Sequence, residues 1–217
     1  IVLDVKEKSY PINFSIFGNN FGSRYTGSTR VGFSLDFANL TKNGDILSLT
    51  GIGNIENLNM MNYYKIGYGI PLMGTGGKIG LSYSKMKYEI DEEWIPLGVD
   101  GESEIYTLFL NYPFIKTRTQ NLILLSSLNY KDMRNYLFER TYVNSHDKFL
   151  TLELGIQKDK LFKNSHLYWV AKTSFGLWGE SEEDYLYSKN WFKFNFDLVD
   201  IFKISKTELI TKFSTQF

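Results

Sequence analysis

Apolar and polar side chains alternate through most of this chain, and a period of two restricts it to β-strands whose two faces differ. In Pro11 to Phe17 (PINFSIF), Ile12, Phe14 and Ile16 fall on one side and Asn13 and Ser15 on the other. Across the polar turn NNFGSRYTG, Val31, Phe33, Leu35 and Phe37 oppose Gly32, Ser34 and Asp36. Further along, Tyr64, Ile66, Tyr68 and Ile70 alternate with Lys65, Gly67 and Gly69, and Leu150, Leu152, Leu154 and Ile156 with Thr151, Glu153 and Gly155. Phe192, Phe194, Phe196 and Leu198 do the same against Lys193, Asn195 and Asp197. No segment sustains a helical period. About eleven such segments predict an all-β chain of hairpins in series.

Composition removes several classes. Among 217 residues, 24 basic side chains balance 24 acidic ones, which gives no electrostatic reason to expect nucleic acid as a partner. There is no Cys, hence no disulfide framework and no thiolate metal site. No run of about 18 apolar residues reads as a membrane helix. A transmembrane β-barrel stays open, because its strands need only about 9–11 alternating residues. The first residue is Ile1 with no signal peptide ahead of it, so the chain reads as processed or excised.

Connection lengths favour the membrane barrel. Alternate connections are short: Thr41 to Asp45, Pro71 to Lys78, Ile115 to Gln120, Lys158 to Asn164 and roughly Asp200 to Thr207. Those between them read as longer loops at Asp91 to Glu102, Lys131 to Asp147 and Gly179 to Asn190. Short turns on one rim and long loops on the other describe an outer-membrane barrel with the short side periplasmic. Pro71 and Pro113 fall where strands reach the short side, consistent with proline's exclusion from strand interiors. Tyr88, Trp94, Tyr112, Tyr130, Tyr136, Trp178 and Trp191 near strand ends suit interfacial aromatic girdles. A soluble β-sandwich or ligand barrel also alternates, but leaves the rim asymmetry unexplained.

No constellation carries catalysis. Ser145, His146 and Asp147 are triad residue types, but neighbours in sequence do not meet as a triad does, so a solvated loop is expected. His166 opens a strand with no second ligand at metal spacing. Gly74-Thr75-Gly76-Gly77 lacks the Lys-Ser/Thr of a phosphate loop and leads into a strand, so it reads as a hairpin turn. The acidic stretches Asp91 to Glu93 and Glu180 to Asp184 have oxygens for a divalent cation, yet read more simply as solvated loops. No metal, no cofactor and no enzyme activity are expected.

Four segments together carry a family resemblance: NNFGSRYTG at Asn19 to Gly27, NLTKNGDILSLTG at Asn39 to Gly51, YKIGYGIPLMGTGGKIGLSYSKMKYEI at Tyr64 to Ile90, and LNYPFIKTRTQNLILLSSLNYKDMRN at Leu110 to Asn135. In order and spacing they resemble the barrel half of the haemolysin secretion and activation transporters. These are the outer-membrane partners of two-partner secretion, among them the filamentous haemagglutinin and contact-dependent inhibition exporters. The resemblance implies a sixteen-stranded barrel in the outer membrane of a Gram-negative bacterium, preceded by two periplasmic POTRA domains that capture the secreted protein. Residues 1–8 (IVLDVKEK) are similar to the last strand of such a domain, and residues 9–217 to the N-terminal part of the barrel. The family's VRGY-like lumenal loop motif and its acidic partner do not occur in these residues.

Function is then expected in the lumen. Parity assigns Lys65, Ser82, Ser84, Thr107, Asn111, Thr151, Glu153, Lys172, Lys193, Asn195 and Asp197 to a polar interior wall. Such a wall offers hydrogen bonds to an unfolded polypeptide without a strong apolar trap. Export of a large haemolysin- or adhesin-type partner is the leading expectation, with outer-membrane lipid and lipopolysaccharide around the barrel. In the first turn, Asn20, Gly22, Arg24, Thr26 and Gly27 form a motif. Arg24 is singled out there, with a rim charge near lipopolysaccharide as its plainer reading, and the glycines as turn formers. An insertase of the same superfamily and a small-solute porin remain alternatives.

Overall fold

The computed structural model describes residues 11–23, 25–58, 60–90, 98–137, 142–181, 191–204 and 207–217. The alternating segments form eleven strands: β1 (Ile12–Asn19), β2 (Arg30–Ala38), β3 (Ile46–Asn54), β4 (Met61–Leu72), β5 (Gly77–Ile90), β6 (Val99–Lys116), β7 (Gln120–Leu137), β8 (Tyr142–Leu161), β9 (Ser165–Ser181), β10 (Phe192–Ile204) and β11 (Thr207–Gln216). They make one sheet in sequence order, each strand antiparallel to the next. This is the all-β meander expected from the period of two.

Directly paired residues of antiparallel strands share a face, so the register sorts every side chain. One row runs Leu81, Leu108, Leu128, Leu152, Phe175, Phe192 from β5 to β10. The row beside it, on the opposite face, runs Ser82, Thr107, Asn129, Thr151. Phe33, Leu35, Ile66, Tyr68, Leu154, Phe194 and Phe196 lie on the first face, and Ser34, Lys65, Gly67, Glu153, Lys193 and Asn195 on the second.

The apolar face covers no core. Met61 and Val170 are the buried hydrophobic residues among those described, whereas Leu81, Leu108, Leu154, Ile156 and Ile66 are exposed. A single sheet that leaves this much apolar surface bare is not the soluble sandwich or ligand barrel that alternation alone allowed.

Its dimensions fit a bilayer instead. On β8 the outward strip Leu150 to Ile156 is bounded by Lys148 and Lys158 on the same face. The ten steps from Lys148 to Lys158 rise about 33 Å along the strand, or roughly 25 Å after a barrel tilt near 40°, the height of an outer-membrane apolar band. Above the leucine row, Tyr83, Tyr106 and Tyr130 stand side by side, with ring centroids 4.9 and 6.3 Å apart. Toward the other rim Trp169, Phe196 and Phe213 form a second aromatic group, with centroids 6.2 and 6.3 Å apart.

Three expectations need correcting. Lys131 to Asp147 is not one long loop: Lys131 to Leu137 continues β7 and Tyr142 to Asp147 begins β8. Likewise Val99 to Glu102 is strand, as is Gly179 to Ser181, so the extra length on that rim is strand that outruns the apolar band. β6 to β9 have 18, 18, 20 and 17 residues, against 8, 9 and 9 for β1 to β3. Second, Tyr88 and Trp191 are not girdle residues. Their rings cover Gly101 and Gly176 on the polar face, and Tyr88 Oη donates to Asn135 Oδ1 at 2.7 Å. Third, Pro113 lies inside β6, accommodated by a register shift between Pro113 and Ile115. Trp94 and the acidic stretch Asp91 to Glu93 lie outside the described residues, as does most of Glu180 to Asp184.

Candidate transport lumen

All eleven residues assigned to the interior by parity lie on one face. Lys65 pairs with Ser84, Ser82 with Thr107, Lys78 with Asn111, Gly155 with Lys172 and Lys172 with Asn195. Thr151, Glu153, Lys193 and Asp197 follow by parity along β8 and β10. This face is concave. Residues from seven strands, Ile46 of β3 to Lys172 of β9, line one hollow of about 550 Å³ that includes Lys65, Ser82, Thr107, Asn111, Asn129 and Glu153.

The wall is polar and largely satisfied. Thr107 Oγ1 donates to Asn129 Oδ1 at 2.8 Å, and Asn129 Nδ2 to Ser127 Oγ at 3.2 Å. Ser214 Oγ donates to Asp197 Oδ1 at 2.7 Å, joining β11 to β10 on this face. Thr151 is buried, and its hydroxyl has no partner among the described residues. Glycines lower the wall where larger groups lean over them. Lys172 Cγ lies 3.0 Å from the position a Cβ would take on Gly155.

Sequence reasoning missed Lys78, Lys116, Asn129 and Ser127. The two lysines were absorbed into the short turns PLMGTGGK and IKTRTQ, and yet Lys78 takes its place in the same alternation as Gly80 and Ser82. Carrying the period of two back from β5 into the turn finds Lys78. Lys116 is hidden by the bulge at Pro113.

The first turn is ordered by the next connection on its rim. Gly22 N donates to Ser28 O at 3.0 Å, and the Ser23 and Thr26 hydroxyls are 2.9 Å apart. Asn54, fully buried at the end of β3, accepts from the Glu56 and Asn57 amides at 2.7 and 3.0 Å, and its Nδ2 lies 3.5 Å from Thr26 O. A Cβ on Gly27, whose φ is +83°, would collide with the Asn54 amide, so glycine is required there on both counts. Gly22 and Gly27 are thus turn formers. Among the described residues no side-chain hydrogen bond of Asn20 contributes to the turn, and Arg24 lies outside them.

On the short-turn rim, Asp45 closes the β2–β3 connection. Its carboxylate accepts from the Thr41 amide at 3.0 Å, the Thr41 hydroxyl at 2.9 Å and the Tyr68 hydroxyl at 3.1 Å. Burial acts to raise its pKa, but the hydrogen bonds from Thr41 and Tyr68 outweigh it and hold the carboxyl below its ordinary range. Gly74 and Gly76, with φ of +77° and +72°, make the β4–β5 hairpin turn anticipated for GTGG.

The triad residue types are separated by the strand. Ser145 and Asp147 face the polar side, where Asn135 Nδ2 donates to Ser145 Oγ at 2.8 Å, while His146 faces outward, 3.0 Å from Asp132. They belong to β8 and not to a solvated loop. His166 pairs with Asp159 at 2.6 Å.

A sheet of this order, apolar on one face and polar on the other, has counterparts among known proteins. The family model "Haemolysin secretion/activation protein ShlB/FhaC/HecB" matches residues 1–216. The chain belongs to that family. Family members are outer-membrane β-barrel transporters of two-partner secretion in Gram-negative bacteria, which is a transporter class and not an enzyme class. Among solved structures, CdiB from Escherichia coli is similar over 98% of this chain, with a TM-score of 0.78 and 16% identity. CdiB from Acinetobacter baumannii is similar over 95%, with a TM-score of 0.66 and 18% identity. These likenesses show the fold. The chain spans 41% and 38% of those two structures' own lengths. No curated protein matches.

Proposed function

We propose that these residues form part of an outer-membrane pore through which a partner exoprotein of haemolysin or adhesin type is exported. The observation that carries this reading is the sorting of side chains by face. Lys65, Ser82, Thr107, Asn111, Glu153 and Lys172 converge on one concave polar wall, in a chain of a two-partner secretion family. Such a wall hydrates an extended polypeptide and gives its apolar side chains no pocket in which to lodge. Within the family frame, residues 9–217 are barrel and residues 1–8 belong to a preceding periplasmic domain. Lipopolysaccharide surrounds the outward face.

The test uses the full-length protein. A strain deleted for the gene should retain the exoprotein encoded beside it, and complementation should restore its appearance in the medium. If secretion is unchanged by deletion while the purified protein gives large constant conductance for small solutes, the chain is a porin. If deletion instead depletes other outer-membrane barrels, it is an insertase.

A further inference from the structure

The chain as a whole is neutral, with 24 basic and 24 acidic side chains, but its concave wall is not. The central hollow is lined by Lys65, Lys78 and Lys172 against a single carboxylate, Glu153. A second hollow of about 350 Å³ adjoins it toward the short-turn rim, sharing Lys78 and Asn111 and adding Lys116 with no carboxylate. None of the four lysines has an ionic partner among the described residues, and all four are exposed. On the outer face Lys85 bonds Glu104, and Arg134 lies against Asp132 and Glu102. Asp36, Asp159 and Asp197 share the inner face but line neither hollow, so within the hollows four lysines meet one carboxylate, a place suited to a negative occupant.

The register fixes their spacing. Lys116 is five residues from Asn111, which pairs with Lys78, and Lys65 is six residues from Pro71, which also pairs with Lys78. Because the bulge places Lys116 opposite Asn121, four register positions from Leu125, the three lysine positions climb the wall in steps of about 13 and 20 Å at about 3.3 Å per residue. Lys172 joins at the level of Lys78, across the row Asn111, Leu125, Gly155. An extended polypeptide advances at nearly the same rise, so an acidic side chain about every four to six residues meets one lysine after another.

We infer that Lys116, Lys78, Lys172 and Lys65 form an anion track that holds an extended polypeptide segment carrying spaced Asp or Glu residues. This rests on the export reading, to which it adds the charge class of what the lumen prefers. Separate lysines with flexible stems suit such a segment better than a single phosphate, which needs several donors converging on one point. The hydroxyl and amide groups between them, Ser82, Thr107, Asn111 and Asn129, bind the backbone regardless of sequence.

The experiment measures fluorescence anisotropy of labelled unstructured peptides with the full-length protein in detergent. Three peptides carry Glu, Gln or Lys once in every five residues on a Gly/Ser background. The Glu peptide should bind at least about tenfold more tightly than the Gln peptide, with an advantage that falls as salt rises. The quadruple Lys→Gln variant should lose that advantage, and the quadruple Lys→Glu variant should transfer it to the Lys peptide. Heat-dependent gel migration confirms that each variant is a folded barrel. Equal binding of Glu and Gln peptides by the wild type, or an unchanged preference in both folded variants, overturns the inference. Secretion of the neighbouring exoprotein is scored in parallel. A wild-type protein that secretes the exoprotein but binds the Glu and Gln peptides equally sinks the track alone, whereas a wild-type Glu preference in a protein with no role in secretion sinks the export reading.

Discussion

Phe109 lies across Gly80 on the concave wall: a Cβ on Gly80 would stand 2.6 Å from Phe109 Cζ and 2.3 Å from the Tyr68 carbonyl oxygen. The same ring reaches Gly69, where a Cβ would meet Phe109 Cζ at 3.4 Å. Ring and glycines fill a stretch of wall where two ordinary side chains have no room. Gly80→Ala should therefore destabilise the barrel by about 1–3 kcal/mol through forced displacement of ring and backbone. Gly69→Ala, at ordinary contact distance, should cost clearly less. Urea unfolding of the full-length protein in lipid, followed by tryptophan fluorescence, ranks the two, and a larger cost at Gly69 contradicts the packing.

Leu152 and Glu153 are neighbours on opposite faces. Leu152 lies in the outward row between Leu128 and Phe175, six residues from Lys158 and four from Lys148. Arg at position 152 should cost about 2–4 kcal/mol, the penalty for a cation near the bilayer midplane. Glu153→Gln, on the polar face, should be nearly neutral. The same unfolding assay decides. Comparable costs at the two positions are incompatible with lipid on the Leu152 side.

The alternation was legible wherever one face meets lipid and the other water. Leu150 to Ile156 reads as a strand at sight, because lipid demands apolar residues at every second position. Above the apolar band both faces are wet and the demand lapses. Lys131, Asp132, Met133, Arg134 and Asn135 show no period, so β7 and β8 were read as loop where they continue as paired strands. Cross-strand contacts are equally invisible in sequence. Nothing in the neighbourhood of Tyr88 indicates that its ring belongs over Gly101, because that pairing is set by register and not by local pattern. The eleven polar residues share one face because parity carries that assignment. The lysines at its short-turn end were lost where a turn and a bulge interrupt the count.

Asp45 gives the β2–β3 turn a pH dependence of definite sign. Its folded pKa is depressed below the ordinary 3.8, so the carboxylate contributes stability above that value, and the contribution is lost as pH falls through the lower folded pKa. Asp45→Asn removes a charged acceptor of the Thr41 amide and hydroxyl. Its melting temperature should lie below that of wild type at pH 7, with the gap closing as pH drops below the ordinary carboxyl value. A gap that widens in acid reverses the sign and rules out Asp45 as the source.

The two rims differ in side, and these 217 residues hold no cysteine, so single introduced thiols read each rim once any cysteine elsewhere in the full-length protein is replaced by serine. Phe21, in the β1–β2 turn, is 86% exposed, and Met73, in the β4–β5 turn, is 85% exposed, so both positions accept a cysteine without disturbing packing. If the short turns face the periplasm, Phe21→Cys in the full-length protein should react with a membrane-impermeant maleimide on intact cells. Met73→Cys should react only after the outer membrane is permeabilised. The outward row supports this polarity: strands β6 to β9 outrun the apolar band on the Phe21 side, carrying Glu104, Asp132, Arg134 and Lys148 beyond the tyrosine row. Charges in that position lie at the level of lipopolysaccharide headgroups, whereas the opposite rim ends in tight turns such as Thr41 to Asp45. Labelling of Met73→Cys on intact cells, with Phe21→Cys protected, would place the long strands in the periplasm and invert the path of export.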